Sequence, residues 1–196
     1  MNPQTLLLLI IFTILHASAL SKPPQPPLSA TAAARNLPQN ETIYNISKAL
    51  CWHCLEESIQ FLYGHNLVRA RKWELPLIWD FQLENYAKWW AGQRQRDCQL
   101  IHSFPEGDFK LGENILWGGG ATWTPMDAVR VWADEEKYYD YESNSCEEGQ
   151  MCGHYTQIVW KSTRRIGCTR VVCDSGDVFM TCNYYPPGNY VGEKPY

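Results

Sequence analysis

Eight cysteines sit behind an N-terminus that reads as an export signal, and that combination constrains the chain more than any other feature. Residues Thr5 to Leu15 are almost wholly apolar, and Ala17-Ser18-Ala19 supplies the Ala-x-Ala spacing that signal peptidase accepts. This predicts a signal peptide over residues 1–19, cleaved at Ala19. The apolar run is shorter than the roughly 20 residues needed to cross a bilayer. No later stretch is apolar enough to span one, so the mature chain is expected to be soluble and extracellular. In an oxidising compartment the cysteines read as disulfides rather than metal thiolates, with their connectivity left open. Asn40-Glu41-Thr42 and Asn45-Ile46-Ser47 are sequons, which predicts glycans on Asn40 and Asn45.

The formal net charge of −4 carries no basic footprint for nucleic acid. Nor does the sequence show a Lys/Arg cluster that would hold an anionic membrane surface. Residues 20–50, with Pro23, Pro24, Pro26 and Pro27 and both sequons, bury too little apolar surface to fold and read as an extended leader. The remainder, 51–196, is long enough for one domain with a sizeable core and holds every one of the chain's 9 Trp and all of its Tyr but Tyr44. Apolar spacing predicts a helix from Ser58 to Lys72, broken at Leu75-Pro76-Leu77. A second helix is expected after an Asp80 N-cap, with Leu83, Tyr86, Ala87, Trp90 and Ala91 at helical spacing. From His102 to Gly120 the glycines and turn residues suggest a loop. Thr124-Pro125-Met126-Asp127 should open a third helix, with Thr124 as cap, Pro125 at N1 and Asp127 in the capping-box position. Tyr155 to Trp160 and Ile166 to Cys173 have strand composition. Asp174 to Asp177 then turns the chain into a returning strand, Val178 to Tyr184. Helices first and sheet later predict an α+β fold.

Several segments together resemble one family. They are Phe61 to Arg69 (Phe-Leu-Tyr-Gly-His-Asn-Leu-Val-Arg), Leu77 to Asp80, Cys98 to Ser103, Gly112-Glu113-Asn114 and Ala128 to Glu135. The most specific are Cys152-Gly153-His154-Tyr155-Thr156-Gln157-Ile158-Val159-Trp160 and Cys182 to Tyr190. In these the chain resembles the plant pathogenesis-related class 1 proteins, within the superfamily of cysteine-rich secretory proteins and venom allergens. The resemblance implies a disulfide-stabilised three-layer α–β–α sandwich with a central antiparallel sheet. It also implies the pairs Cys98–Cys173, Cys146–Cys152 and Cys168–Cys182. Cys51 and Cys54 lie outside the family's six, and the simplest reading is a local disulfide fastening the leader to the first helix; a thiol–disulfide exchange motif and pairing with another chain are the alternatives.

The same resemblance places His102, Glu113, Glu135 and His154 in a central cavity. Two imidazoles and two carboxylates are the chemistry of a divalent-metal site, with His102 and His154 as ligands to an ion such as zinc, although no cofactor is required. Each could equally be a hydrogen-bonded structural group, His154 within its strand-like segment and Glu113 on loop backbone donors. Ser103 beside His102 invites a hydrolase reading, but no Gly-x-Ser-x-Gly elbow supports it. His65 is expected to pack or hydrogen-bond away from the cavity. Trp117 and Trp123, flanking Gly118 to Gly120, could line a groove or join the core. The expected function is therefore non-enzymatic: a monomeric, extracellular defence protein that binds a sterol or other lipid at a pathogen surface. The alternatives are a precursor whose tail, Pro186 to Tyr196, is released as a signalling peptide, and a metal-dependent hydrolase.

Overall fold

The computed structural model describes the backbone of residues 52–104 and 110–196, with side chains from Glu56 onward. The signal segment with Ala19, the leader with Asn40 and Asn45, and the Cys51–Cys54 pairing lie outside the described residues.

Helix α1 spans Trp52–Ala70, and the short strand β1 is Ile78–Trp79. Between them α1 closes with a doubled turn: the amide of Trp73 donates to the carbonyl of Ala70 and that of Glu74 to the carbonyl of Arg69. Helix α2, Phe81–Arg94, begins where its cap predicts, since Asp80 Oδ1 accepts from the amides of Gln82 (2.8 Å) and Leu83 (3.2 Å). Helix α3, Pro125–Ala133, has the full capping box of Thr124 and Asp127 and runs into a 3₁₀ turn, Asp134–Tyr138.

Strands β5 (Arg165–Val172) and β6 (Val178–Tyr185) form the expected hairpin. Three elements depart from the sequence reading. Gly112–Gly118, expected as loop, is strand β2, paired antiparallel with β6 from Gly112↔Tyr184 to Gly118↔Val178. Gly153–Ile158 is a short helix, α4, where a strand is expected from Tyr155 to Trp160. The sheet, in order β1-β5-β6-β2, is not purely antiparallel, because β1 runs parallel to β5. A separate two-stranded ribbon joins β3 (Tyr139–Asp140) to β4 (Ser145–Cys146).

Alternation along β6 divides the core. Val178, Met180, Cys182 and Tyr184 face the main cluster with Phe61 and Val68 of α1, Val129 and Trp132 of α3, and Tyr155 and Ile158 of α4. Phe179 faces the other way, onto Ala91 of α2, Ile115 and the Cys98–Cys173 bridge. Helix α2 lies so close to β5 that a Cβ on Gly167 would stand 2.1 Å from the amide nitrogen of Glu84. Cys168–Cys182 crosslinks a registered pair of the hairpin, and Cys146–Cys152 ties β4 to the start of α4. All three bridges are the pairs that the resemblance implied. Among the described residues no cysteine is free, and no helix is long and apolar enough to cross a membrane.

Candidate functional site

Glu113 is the second residue of β2, directly across from Asn183 of β6. That register brings Asn183 Nδ2 to 3.0 Å from Glu113 Oε2. The segment after Cys98 then delivers three more donors: His102 Nδ1 (2.8 Å) and the Ser103 amide (2.8 Å) to Oε1, and Ser103 Oγ (2.5 Å) to Oε2. Burial of this carboxyl opposes its ionisation, yet the hydrogen bonds from His102, Ser103 and Asn183 prevail and hold its pKa below the usual glutamate range. Glu113 is thus an anion fully occupied by donors. Ser103 gives both its amide and its hydroxyl to that carboxylate, one donor to each oxygen, and so serves to hold Glu113 in place. His102, half exposed, has Nδ1 fixed as the donor, which makes Nε2 the acceptor nitrogen of its neutral ring.

The second pair is built separately. Glu135 stands in the 3₁₀ turn after α3, with Oε1 2.6 Å from His154 Nδ1. Its Oε2 accepts from the backbone amides of His154 (3.0 Å) and Tyr155 (3.2 Å), the first turn of α4. The His154 ring lies nearly parallel to Trp132, with centroids 6.1 Å apart.

A cavity of about 420 Å³ opens beside the first pair. Its walls are His102, Glu113, Leu111, Gln157 and the tail loop 187–191; His154 and Glu135 do not line it. Gln157 joins the tail to the body, accepting from the Gly188 amide (2.9 Å) and donating to Thr163 Oγ1 (3.2 Å). The neighbouring strand can approach it only because residue 112 is glycine, where a Cβ would stand 2.1 Å from Gln157 Oε1. The four named residues therefore appear as two carboxylate–imidazole pairs. Among the described residues no three His, Cys, Asp or Glu side chains gather to hold a metal ion. Trp123 packs against the main core, its ring over Gly118, whereas Trp117 remains exposed.

Sequence reasoning did not find the parts played by Ser103, Asn183, Gln157 and the tail loop. Asn183 becomes visible only once β2 is known to be a strand in register with β6. His65 behaves as expected: it is fully buried, with Nδ1 donating to the Phe61 carbonyl (2.7 Å) and Nε2 accepting from Tyr184 (2.8 Å).

The sequence and the fold both have counterparts among known proteins. The model of the cysteine-rich secretory protein family, CAP, matches residues 62–184, and the chain belongs to that family. Its relatives include the pathogenesis-related protein PR-1 of Medicago truncatula, 54% identical over 138 residues, covering 70% of this chain and 78% of the relative. The pathogenesis-related protein 1A of Nicotiana tabacum is 48% identical over 136 residues, covering 69% and 79%. The place of this chain within the family is with these plant pathogenesis-related class 1 proteins. Among solved structures, the venom allergen-like protein 4 of Schistosoma mansoni superposes with a TM-score of 0.57 at 28% identity, covering 72% of this chain and 94% of that one. NaASP2, determined with Zn²⁺, gives 0.59 at 25% identity, covering 72% and 85%.

Proposed function

We propose that the chain is an exported, non-enzymatic defence protein that sequesters a sterol or similar lipid of a pathogen. Export fits the Ala-x-Ala signal and the three bridges, which persist only in an oxidising compartment. In this reading the helices on the two sheet faces stack as an α–β–α sandwich, with the cavity at the exposed edge of β2.

The observation that carries the reading is the cavity's composition. Its volume of about 420 Å³ lies within the range of small-molecule pockets. Leu111, Pro187 and Val191 offer apolar walls, and His102 offers one polar point held by a buried carboxylate. That suits a rigid apolar body with a single hydroxyl, which His102 Nε2 would accept. Glu113, saturated by donors, would orient the imidazole and keep its tautomer.

Zinc was an expected alternative occupant, and NaASP2 carries it. The donor set here does not fit a closed zinc site, since the described residues bring no three ligands together. No catalytic step is assigned to a metal or to Ser103.

Equilibrium binding of a radiolabelled sterol to the purified chain tests the proposal. Saturable binding is expected, and Leu111→Trp, which fills the cavity, should weaken it at least about tenfold, the loss of roughly 1.4 kcal/mol of contact. Saturable binding that Leu111→Trp leaves intact would move the ligand elsewhere, and no binding at all would end the lipid reading.

A further inference from the structure

The turn that follows α1 carries an unusual surface. Trp73 closes α1 in the left-handed conformation, φ 61°, where glycine is the usual occupant. For a bulky side chain that conformation is unfavourable, and no packing repays it, because Trp73 is 95% exposed. It is not alone. Leu75 is 61% exposed, Ile78 68% and Phe81 74%, four large apolar side chains turned outward within nine residues.

The fold holds these residues together with a group of cations drawn from another segment. Arg69, buried beneath, donates to the carbonyls of Leu75 (2.7 Å), Trp160 (2.9 Å) and Thr163 (3.3 Å), so both segments wrap one guanidinium. The Ile78 amide donates to the Arg164 carbonyl (2.9 Å), and Ile78 pairs with Arg165 in the sheet. Arg165 in turn bonds Asp80 (2.6 Å), next to Phe81, and lies over the half-exposed ring of Tyr185 at 4.6 Å. Arg71, Lys161, Arg164 and Arg165 are all exposed. Two acids beside these residues are already engaged: Glu74 faces Arg69 at 3.9 Å and Asp80 faces Arg165. Among the described residues Arg71, Lys161 and Arg164 have no acidic partner. The sequence spreads these cations over two segments, which is why it showed no basic cluster.

We propose that this face is a peripheral docking surface for anionic lipid bilayers, with Trp73, Leu75, Ile78 and Phe81 entering the interface and Arg71, Lys161, Arg164 and Arg165 meeting the headgroups. Tryptophan beside basic residues is the chemistry of an interfacial anchor: the ring is apolar with a polar edge, and the cations gain from negative surface potential. The net charge of −4 works against association with any anionic surface, so the docking depends on this one cationic end facing the membrane. The inference does not rest on sterol binding, because its ligand is the bilayer surface and not a molecule held in the cavity.

Sedimentation of the purified chain with sterol-free phosphatidylcholine vesicles, with and without phosphatidylserine, tests it. Binding is expected only with phosphatidylserine, and it should weaken as salt is added. Lys161→Gln and Arg164→Gln should each weaken it about fivefold, the factor for one cation of about 1 kcal/mol. Trp73→Gly should abolish most of it while leaving the fold intact, since glycine adopts φ 61° without strain; its thermal midpoint should rise. The proposal is overturned if phosphatidylserine vesicles do not bind the chain, or if they bind Trp73→Gly as well as the parent. It is equally overturned if Trp73 proves to drive self-association on a sizing column in place of vesicle binding, which would make a second copy the occupant.

Discussion

At the scale of single residues, the His-Asn-x-x-Arg run of α1 shows how polar groups hold a core. His65 uses both ring nitrogens, and burial pushes its pKa down to about 4, with the nearby Arg69 charge pushing the same way against the Phe61 hydrogen bond. It is therefore neutral in the folded chain, with the proton on Nδ1. Burial likewise drives the Tyr184 hydroxyl well above its ordinary range, so it remains a donor to His65. In the unfolded chain His65 titrates near 6.5. Above that pH neither state binds the proton and the residue makes no pH-dependent contribution. Between 6.5 and about 4 the unfolded chain takes up a proton that the folded chain refuses, so stability falls as the solution is acidified. Across that window the loss is about 3 kcal/mol. Urea midpoints at pH 7 and pH 5 should show this slope in the parent chain and a much smaller one in His65→Gln. An unchanged slope in the variant would place the acid sensitivity elsewhere. Glu113, held below its ordinary pKa, contributes in the same direction only at lower pH, through the carboxylate range.

At the scale of elements, α4 is the clearest case of tertiary structure overriding local preference. Tyr155, Thr156, Ile158 and Val159 favour strand, and all are buried, so periodicity could not separate a strand from a core helix. The deciding partner is Glu135, remote in sequence, which satisfies two amides of the first helical turn where no side chain of the preceding Cys152 does. Glu135→Ala should therefore destabilise the domain by about 2 kcal/mol through the lost amide and imidazole partners. Amide exchange at residues 153–158 should quicken, and protection equal to the parent's would show that α4 needs no such cap. The same distinction separates what the sequence revealed from what it hid. Helices α2 and α3 were legible because Asp80 and the Thr124–Asp127 box are local signals. The β5–β6 hairpin was legible from its turn, Asp174 to Asp177. Strand β2 was not, because its partner β6 lies some distance along the chain and its glycines mimic a loop. For the site, resemblance supplied His102, Glu113, Glu135 and His154, yet only the β2–β6 register and the course of the tail show that they form two pairs, one of them beside a cavity.

At the scale of the whole molecule, the C-terminal tail is a clasp. The Gly188 amide bonds Gln157, and Asn189 bonds Thr156 Oγ1 (2.7 Å) and the Gly153 carbonyl (2.8 Å). The Pro195 carbonyl accepts from the Lys161 amide (2.6 Å). Tyr196 stacks on Tyr141 with centroids 4.7 Å apart, beneath the Lys72 ammonium, and its backbone oxygen accepts from the Tyr141 hydroxyl. The tail thus joins α1, α4 and the β3–β4 ribbon, and its stretch 187–191 is also a wall of the cavity. Release of the segment from Pro186 onward as a peptide would remove that wall, so in any one molecule peptide release and retention of a ligand in this cavity exclude each other. Deleting residues 191–196 should cost about 3 kcal/mol, from one large aromatic contact and two or so hydrogen bonds. For a domain of this size that lowers the thermal midpoint by roughly 6 to 12 °C. Sterol affinity should fall in the same protein, since Val191 is lost from the wall and the loop 187–190 keeps only its bonds through Gly188 and Asn189. A truncated chain that melts with the parent would show the tail to be an ornament of the fold; one that melts lower but binds sterol equally well would separate the clasp from the cavity wall, whose remaining part, 187–190, the truncation keeps.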